Sequence, residues 1–327
     1  MKIVVADPNL AALRAELEAG FPDGTEVSWP DRLDTEALQA AVVDADVLVA
    51  SRCTAEMAAA AKALRLVHAP GAGVDGIHVE ALPAGTIVAN TYHHEDSIAE
   101  YVVAAAILLR RGFLAQDAAL RRDEWTSPTY QPGLDLGDTL RAATVGLIGF
   151  GHIGARSWAR LRAFGARGAA VTGSGRVDPA AHGLDWAGDT GRLGELLERS
   201  DLLVLSAPLT PATRGMIGAA ELARLPRGAV LVNVGRGPLV DERALYQALR
   251  DGGLGGAGID VWYHYPAEGT SAAPSELAFR DLPNVLMTPH SSGLTRQTYA
   301  GRAVDITDNV RRLMAGEPLR NVVAVAE

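Results

Sequence analysis

The stretch Thr144-Val-Gly-Leu-Ile-Gly-Phe-Gly-His-Ile-Gly154 constrains this chain more than any other. A short β-rich run, Val145 to Ile148, stands directly before Gly149-x-Gly151-x-x-Gly154. An amphipathic run follows, with Ile153, Trp158, Leu161 and Phe164 near helical spacing. A strand that enters a tight glycine turn and then a helix aims free backbone N–H groups and the positive end of the helix dipole at one point. A pyrophosphate suits that point. Gly149 permits the turn, Gly151 lets the backbone approach the phosphates, and Gly154 lets helix and strand pack closely. A GxGxxG alone is weak evidence, because glycine turns without a ligand are common. The strand before it and the helix after it make a dinucleotide the expected ligand.

The segments on either side alternate between β-like and helical runs. Ile3–Ala6, Glu26–Trp29, Val47–Ala50, Leu66–Ala69 and Ile87–Asn90 read as strands. Leu10–Ala19, a run from Thr35 capped by Asp34, and Thr54–Ala63 read as helices between them. This is a βαβ pattern that precedes the fingerprint without containing it, so it belongs to a separate domain with its own parallel sheet. Ser97 to Gly112 reads as a long buried helix, and Arg121 to Asp138 as an irregular loop. From Thr144 the alternation resumes, with strands at Ala169–Thr172, Leu202–Ser206, Val230–Val234, Ala257–Val261 and Val285–Thr288. The last helix, Arg296 to Met314, and the tail Val322–Val325 are expected to return to the first domain. The fold expected is α/β with two doubly wound parallel sheets. A Rossmann domain, residues 98–290, is inserted in a discontinuous flavodoxin-like domain, residues 1–97 and 291–327. A substrate would lie in the cleft between two such domains.

A length of 327 residues lets each domain bury its own core. The net charge of −9 argues against nucleic acid or an anionic membrane as the partner, though local cations can still hold an anionic small molecule. Cys53 is the only cysteine, which rules out an intrachain disulfide or a thiolate zinc site. His152, His182 and His264 are scattered, so no metal site is expected. No apolar run is long enough to span a bilayer or form a signal peptide, and a cytoplasmic location is the default.

Further motifs fall in a fixed order along the chain. They are Ala69-Pro-Gly-Ala-Gly-Val-Asp75, Ala99-Glu100, the glycine fingerprint, Pro208-Leu-Thr-Pro-Ala-Thr213, Asn233-Val-Gly-Arg-Gly237, Gly258-Ile-Asp-Val261 and Thr288-Pro-His290. In this order they resemble the D-2-hydroxyacid dehydrogenase family, whose relatives include formate, phosphite and phosphoglycerate dehydrogenases. The resemblance covers nearly the whole chain. It implies hydride transfer between a nicotinamide cofactor and a small anionic 2-oxo or D-2-hydroxy acid. Arg236 matches the arginine that grips the substrate carboxylate, and His290 the acid/base. Ala72, Gly73, Val74 and His94 match substrate contacts. Gly149, Gly151, His152, Ile153, Gly154, Ala207, Pro208, Thr213, Val234, Gly235, Asp260 and Ser292 match cofactor contacts. A homodimer through the nucleotide domains is implied as well. The residue types suit the chemistry: a carboxylate wants a planar cation, and a carbonyl under reduction wants a proton donor.

Two departures from the family pattern matter. The glutamate that usually partners the histidine is Tyr265 here, in Asp260-Val-Trp-Tyr-His-Tyr-Pro266. A phenol brings no charge at neutral pH, so the pKa of His290 is expected to fall. Glu268, His264 or a water are the candidates to replace that acid. Asp260-Val-Trp262 and His290-Ser-Ser-Gly293 resemble the formate dehydrogenases, which also lack the acid. Oxidation of a small anion such as formate, phosphite or a phosphonate analogue is therefore the second enzymatic reading, and a non-catalytic dinucleotide-sensing protein the reading from another class. The other departure lies roughly twenty residues after the glycines, where NAD users place an acid for the ribose hydroxyls. Here the segment is Val171-Thr172-Gly-Ser174-Gly-Arg176, with hydroxyls and a cation. That set accepts a 2′-phosphate, so NADP(H) is the expected cofactor and NAD(H) the second option.

Overall fold

A computed structural model describes residues 1–266 and 269–327. It divides into two compact units, Met1–His93 with Leu294–Glu327, and His94–Gly293. These junctions differ from the 97/98 and 290/291 read from the sequence. Helix Glu95–Arg110 packs as one piece with the second unit's strands and with helix His152–Ala163, and it carries its first turn along.

In the first unit, strands β1 (Lys2–Val5), β2 (Glu26–Ser28), β3 (Val47–Val49), β4 (Leu66–His68) and β5 (Ile87–Ala89) form a parallel sheet. The tail Val322–Val325 adds antiparallel to β5, with Val322 opposite Ala89 and Val325 opposite Ile87. The order is then C-terminal strand, β5, β4, β3, β1, β2. β3 and β4 are buried along their whole length, which is why they read as unbroken apolar runs. Helix Arg296–Ala315 starts on Thr295, whose hydroxyl accepts from Thr298 N, and stops at Gly316 in the left-handed region. Its buried side, Tyr299, Ala303, Ile306, Val310 and Leu313, packs with Ile3, Val5, Leu10 and Leu17. The helix is also pinned by a buried network. His68 Nδ1 donates to Ala69 O (3.1 Å), its Nε2 faces Asn309 Nδ2 (3.0 Å), and Asn309 Oδ1 accepts from Arg320 N (2.8 Å).

The second unit holds β6 (Thr144–Ile148), β7 (Arg167–Val171), β8 (Trp186–Gly188), β9 (Leu202–Leu205), β10 (Val230–Asn233), β11 (Gly256–Ile259) and β12 (Val285–Met287). All pair in parallel, in the order β12-β11-β10-β9-β6-β7-β8. Successive residues of β9 point to opposite faces: Leu203 and Leu205 enter one apolar core, Leu202 and Val204 the other. Helix Glu95–Arg110 fills the second core with Ile98, Val102, Ala105, Ala106 and Leu109. The strand order reverses between β6 and β9, and in such sheets ligands lie beyond the carboxyl ends at that reversal.

Several local expectations change. Leu10–Ala19 is a 3-10 turn, Pro8–Leu13, followed by helix Arg14–Gly20. Phe113–Leu120 is a helix that follows Gly112 in the left-handed region. β8 is a three-residue edge strand, too short to show a period. Glu95 and Asp96 stand in the first turn of the long helix, where its dipole favours acids, but no side-chain cap bond forms there, and Asp96 reaches Arg160 (2.8 Å) and Arg156 (3.6 Å).

Candidate active site at the strand ends of the second unit

The glycine fingerprint is built as its spacing demands. β6 runs into Gly149, whose φ of +90° only glycine adopts freely. A Cβ there would lie 2.8 Å from Ala207 N, and one at Gly154 would lie 2.4 Å from Gly149 O. A Cβ at Gly151 would meet nothing within 4 Å, so this is the position that opens outward. His152 and Ile153 begin helix His152–Ala163, whose N-cap Gly151 makes no side-chain cap bond. A turn closed on the protein side, open on the other and backed by uncapped helix N–H groups fits a dinucleotide pyrophosphate. The strand on the far side of the reversal contributes Ser206, which donates to Gly149 O (3.1 Å), and Ala207. Beyond them Thr213 Oγ1 donates to Pro208 O (2.7 Å) and accepts from Thr210 N (2.8 Å), fixing that loop.

At the end of β7, Thr172 Oγ1 accepts from Gly175 N (3.0 Å) and Ser174 Oγ accepts from Arg176 N (3.3 Å). Each hydroxyl thereby keeps its own hydrogen to donate outward. One acid stands nearby that the spacing rule did not reveal. Asp189, after β8, lies against Gly175, and its Oδ1 accepts from Gly191 N (2.9 Å).

The chemistry-bearing residues follow β10, β11 and β12, which are neighbours. After β10 the buried Asn233 ties the loop together, its Oδ1 accepting from Gly235 N (3.1 Å) and its Nδ2 donating to Arg236 O (3.0 Å). Both glycines beside Arg236 are there for close packing. A Cβ at 235 would lie 2.8 Å from Ala207 O, and one at 237 would lie 2.4 Å from Trp262 O. The half-buried Arg236 donates from Nη1 to Gly235 O (2.8 Å).

After β11 comes Asp260, 1% exposed. Its carboxylate accepts from Thr288 Oγ1 (2.6 Å), Ser291 N (2.9 Å), Ser292 N (3.2 Å) and the Ser292 hydroxyl. A buried carboxylate needs several donors, and these supply them. They also hold both sides of His290, which has φ +56°. Crowding of the ring by protein lowers the pKa of His290 from its ordinary value, the Asp260 charge opposes this, and the Arg236 charge adds to it. Tyr265 stands with its ring centroid 5.7 Å from that of His290, tilted by 50°. Its hydroxyl accepts from Trp262 N (3.0 Å). Burial raises its pKa, while that bond and the Arg236 charge work against the rise. His264 donates its backbone N–H to Pro274 O, and Glu268 lies outside the described residues.

Among the residues matched to the substrate, Ala72, Gly73 and Val74 lie in the first unit, beyond β4. There Ala72 O accepts from Asn90 Nδ2 (2.8 Å) and Val74 O from Ile77 N (3.0 Å). His94 is buried at the first residue of the second unit. Its neighbour His93 belongs to the first unit, where its Nε2 meets Asp305 Oδ2 at 2.8 Å. Trp262 and Thr288 fall in the Asp260-Val-Trp262 and Thr288-Pro-His290 motifs, but the sequence assigns neither of them a contact in the site. The hydrogen bonds they make, indole to Thr288 O and Thr288 hydroxyl to Asp260, join residues far apart in sequence, and no local pattern reveals such a pairing.

A parallel sheet with a glycine turn at its reversal, and an arginine, an aspartate and a histidine at adjoining strand ends, defines a dinucleotide-binding oxidoreductase fold. The family model described as D-isomer specific 2-hydroxyacid dehydrogenase, NAD binding domain matches residues 103–292. The chain belongs to that family. It is 33% identical to the glycerate dehydrogenase of Methylorubrum extorquens, over 80% of this chain and 79% of that protein. It is 32% identical to the D-3-phosphoglycerate dehydrogenase of Methanocaldococcus jannaschii, over 99% of this chain but only 59% of that protein. The chain thus spans little more than half the length of that relative. Among solved structures, the NADPH-dependent glyoxylate/hydroxypyruvate reductase of Sinorhizobium meliloti, in complex with NADP and sulfate, superposes with a TM-score of 0.79. It is 29% identical, with 98% of each chain covered.

Proposed function

We propose that the protein is an oxidoreductase that reduces a 2-oxo acid, or oxidises the matching D-2-hydroxy acid, with NADP(H) preferred over NAD(H). The observation that carries this reading is the grouping of Arg236, Asp260 and His290 on three adjoining strand ends, with the Arg236 and Asp260 charges both acting on the His290 imidazole. A bound nicotinamide would supply the hydride in reduction and take it in oxidation. Arg236 binds the substrate carboxylate, since a guanidinium offers two parallel N–H groups to two oxygens. His290 gives a proton to the carbonyl oxygen in reduction and takes one from the hydroxyl in oxidation. With its pKa depressed, the imidazole is a ready base near neutrality and is protonated for reduction only on the acid side. Asp260 holds the His290 turn in place.

The cofactor preference rests on the loop Thr172–Arg176, which offers hydroxyl donors and a guanidinium where a 2′-phosphate would lie. Asp178 and Asp189 are acids near that loop, and each has an oxygen engaged by main-chain N–H groups, Asp178 Oδ1 by Ala180 N (3.0 Å) and Asp189 Oδ1 by Gly191 N (2.9 Å). The exposed side chains Trp125, Tyr130 and Leu136 in the segment after Leu120 support a homodimer through this unit. Tyr265 in place of an acid is the observation that keeps oxidation of formate, phosphite or a phosphonate as a second reading. Initial rates with NADPH and NADH against a panel of 2-oxo acids, and with NADP+ and NAD+ against formate, phosphite and phosphonates, test all of this. Turnover of 2-oxo acids with higher kcat/KM for NADPH is expected. Strong NAD(H) preference would refute the cofactor assignment, and dinucleotide binding without turnover would favour a sensing protein.

A further inference from the structure

Trp262 is buried, at 5% exposure, between the loops that carry Arg236 and His290. Its indole Nε1 donates to Thr288 O at 2.8 Å, two residues before His290. Its carbonyl oxygen, carbonyl carbon and Cα come within 2.4, 2.6 and 3.2 Å of where a Cβ would stand on Gly237, directly after Arg236. Its own N–H donates to the Tyr265 hydroxyl, which sets that ring beside His290. The indole is held edge-on by Phe279 (6.0 Å), and Phe279 in turn by Tyr246 (5.3 Å), so the tryptophan is anchored in the core. Asp260 secures Ser291 and Ser292 on one side of His290 and the Thr288 hydroxyl on the other. Trp262 adds a second hold on Thr288, at its carbonyl.

We propose that Trp262 is a positioning residue that sets the placement of His290 through its indole N–H and the placement of Arg236 through its main chain. The two routes are separable. A phenylalanine keeps the ring and the main-chain contact with Gly237 but loses the donor to Thr288 O. With its main-chain hold on the Thr288 side removed and only the Thr288 hydroxyl still bonded to Asp260, the left-handed histidine shifts its ring. A displacement of about 1 Å at a reacting group costs on the order of 100-fold in rate. The carboxylate grip of Arg236, which reads in KM, keeps its support. A residue that only fills the core would change neither the rate split nor the titration of His290.

The rate arm of the test rests on the reaction proposed above, whereas the titration arm needs neither substrate nor cofactor. In Trp262→Phe, kcat for 2-oxo acid reduction is expected to fall about 10- to 100-fold with KM within about twofold. The NMR titration of the His290 imidazole in the ligand-free protein is expected to move up toward the ordinary histidine value. In the wild-type protein the Trp262 indole N–H resonance is expected to exchange slowly and to shift as His290 titrates. That last measurement stands if the variant fails to fold. An unchanged His290 titration in a folded Trp262→Phe, or a wild-type indole resonance indifferent to it, would overturn the proposal. If the wild-type protein turns over no substrate while both NMR effects appear, the reaction is wrong and the positioning role holds.

Discussion

The Tyr265 hydroxyl accepts a hydrogen bond from the Trp262 N–H at 3.0 Å, so the phenol presents its ring to His290 at 5.7 Å. The imidazole consequently has a flat, uncharged neighbour where the family pattern has a carboxylate. Its pKa is lowered by burial and by Arg236, and Asp260 supplies the opposing charge.

Replacing Tyr265 with Glu restores an anion beside the ring and raises the pKa of His290. Reduction needs the protonated ring, so the alkaline limb of the kcat/KM profile should move to higher pH. An unchanged profile would mean that position 265 does not sense the imidazole.

Asp260→Asn leaves one oxygen where the carboxylate accepts from Thr288, Ser291 and Ser292, and it points an amide donor at Ser292. A buried donor without its acceptor costs about 1–3 kcal/mol. The His290 turn should loosen, with kcat/KM falling roughly 10- to 100-fold. Loss of the anion should also depress the pKa of His290 further, which NMR titration checks.

Arg176→Ala should lower kcat/KM for NADPH about tenfold, the worth of one exposed charge-assisted contact, and leave NADH within twofold. Parallel initial-rate series with the two cofactors measure it. Equal losses with both would place Arg176 away from the 2′-phosphate.

Stability should fall on the acid side through His68. Burial pushes this imidazole down to about 4, partly offset by its bond to Ala69 O. The unfolded chain takes up a proton near 6.5 that the folded one refuses until near 4. Stability is therefore full above about pH 6.5 and declines between there and pH 4, by roughly 3 kcal/mol at about 1.4 per unit. Urea unfolding at pH 7 and pH 4.5 should show the loss, and His68→Gln should remove that part of it.

The α/β alternation, the parallel sheets and the fingerprint were legible because each depends on local period and spacing. Val145–Ile148 is buried on both faces, and Gly149, Gly151 and Gly154 each have the packing that their spacing implies. Arg236, Asp260 and His290 could be marked because they sit in short motifs at strand ends. The support beneath them could not. Whether Asp260 reaches Thr288 or Ser292, and whether an indole N–H at 262 meets a carbonyl at 288, depends on which strands lie side by side. Asp189 escaped for a similar reason: β8 is a three-residue edge strand that brings it back to Gly175. Asp96 lies in the first turn of its helix, yet its pairing with Arg156 and Arg160 depends on which helix packs beside it.

The most direct test of the account is kcat/KM for 2-oxo acid reduction by NADPH in the wild-type protein and in Arg236→Gln. Turnover is expected in the first and a fall of at least about 100-fold in the second, with dinucleotide affinity retained, if the guanidinium holds the substrate as proposed. Wild-type turnover in Arg236→Gln would contradict it.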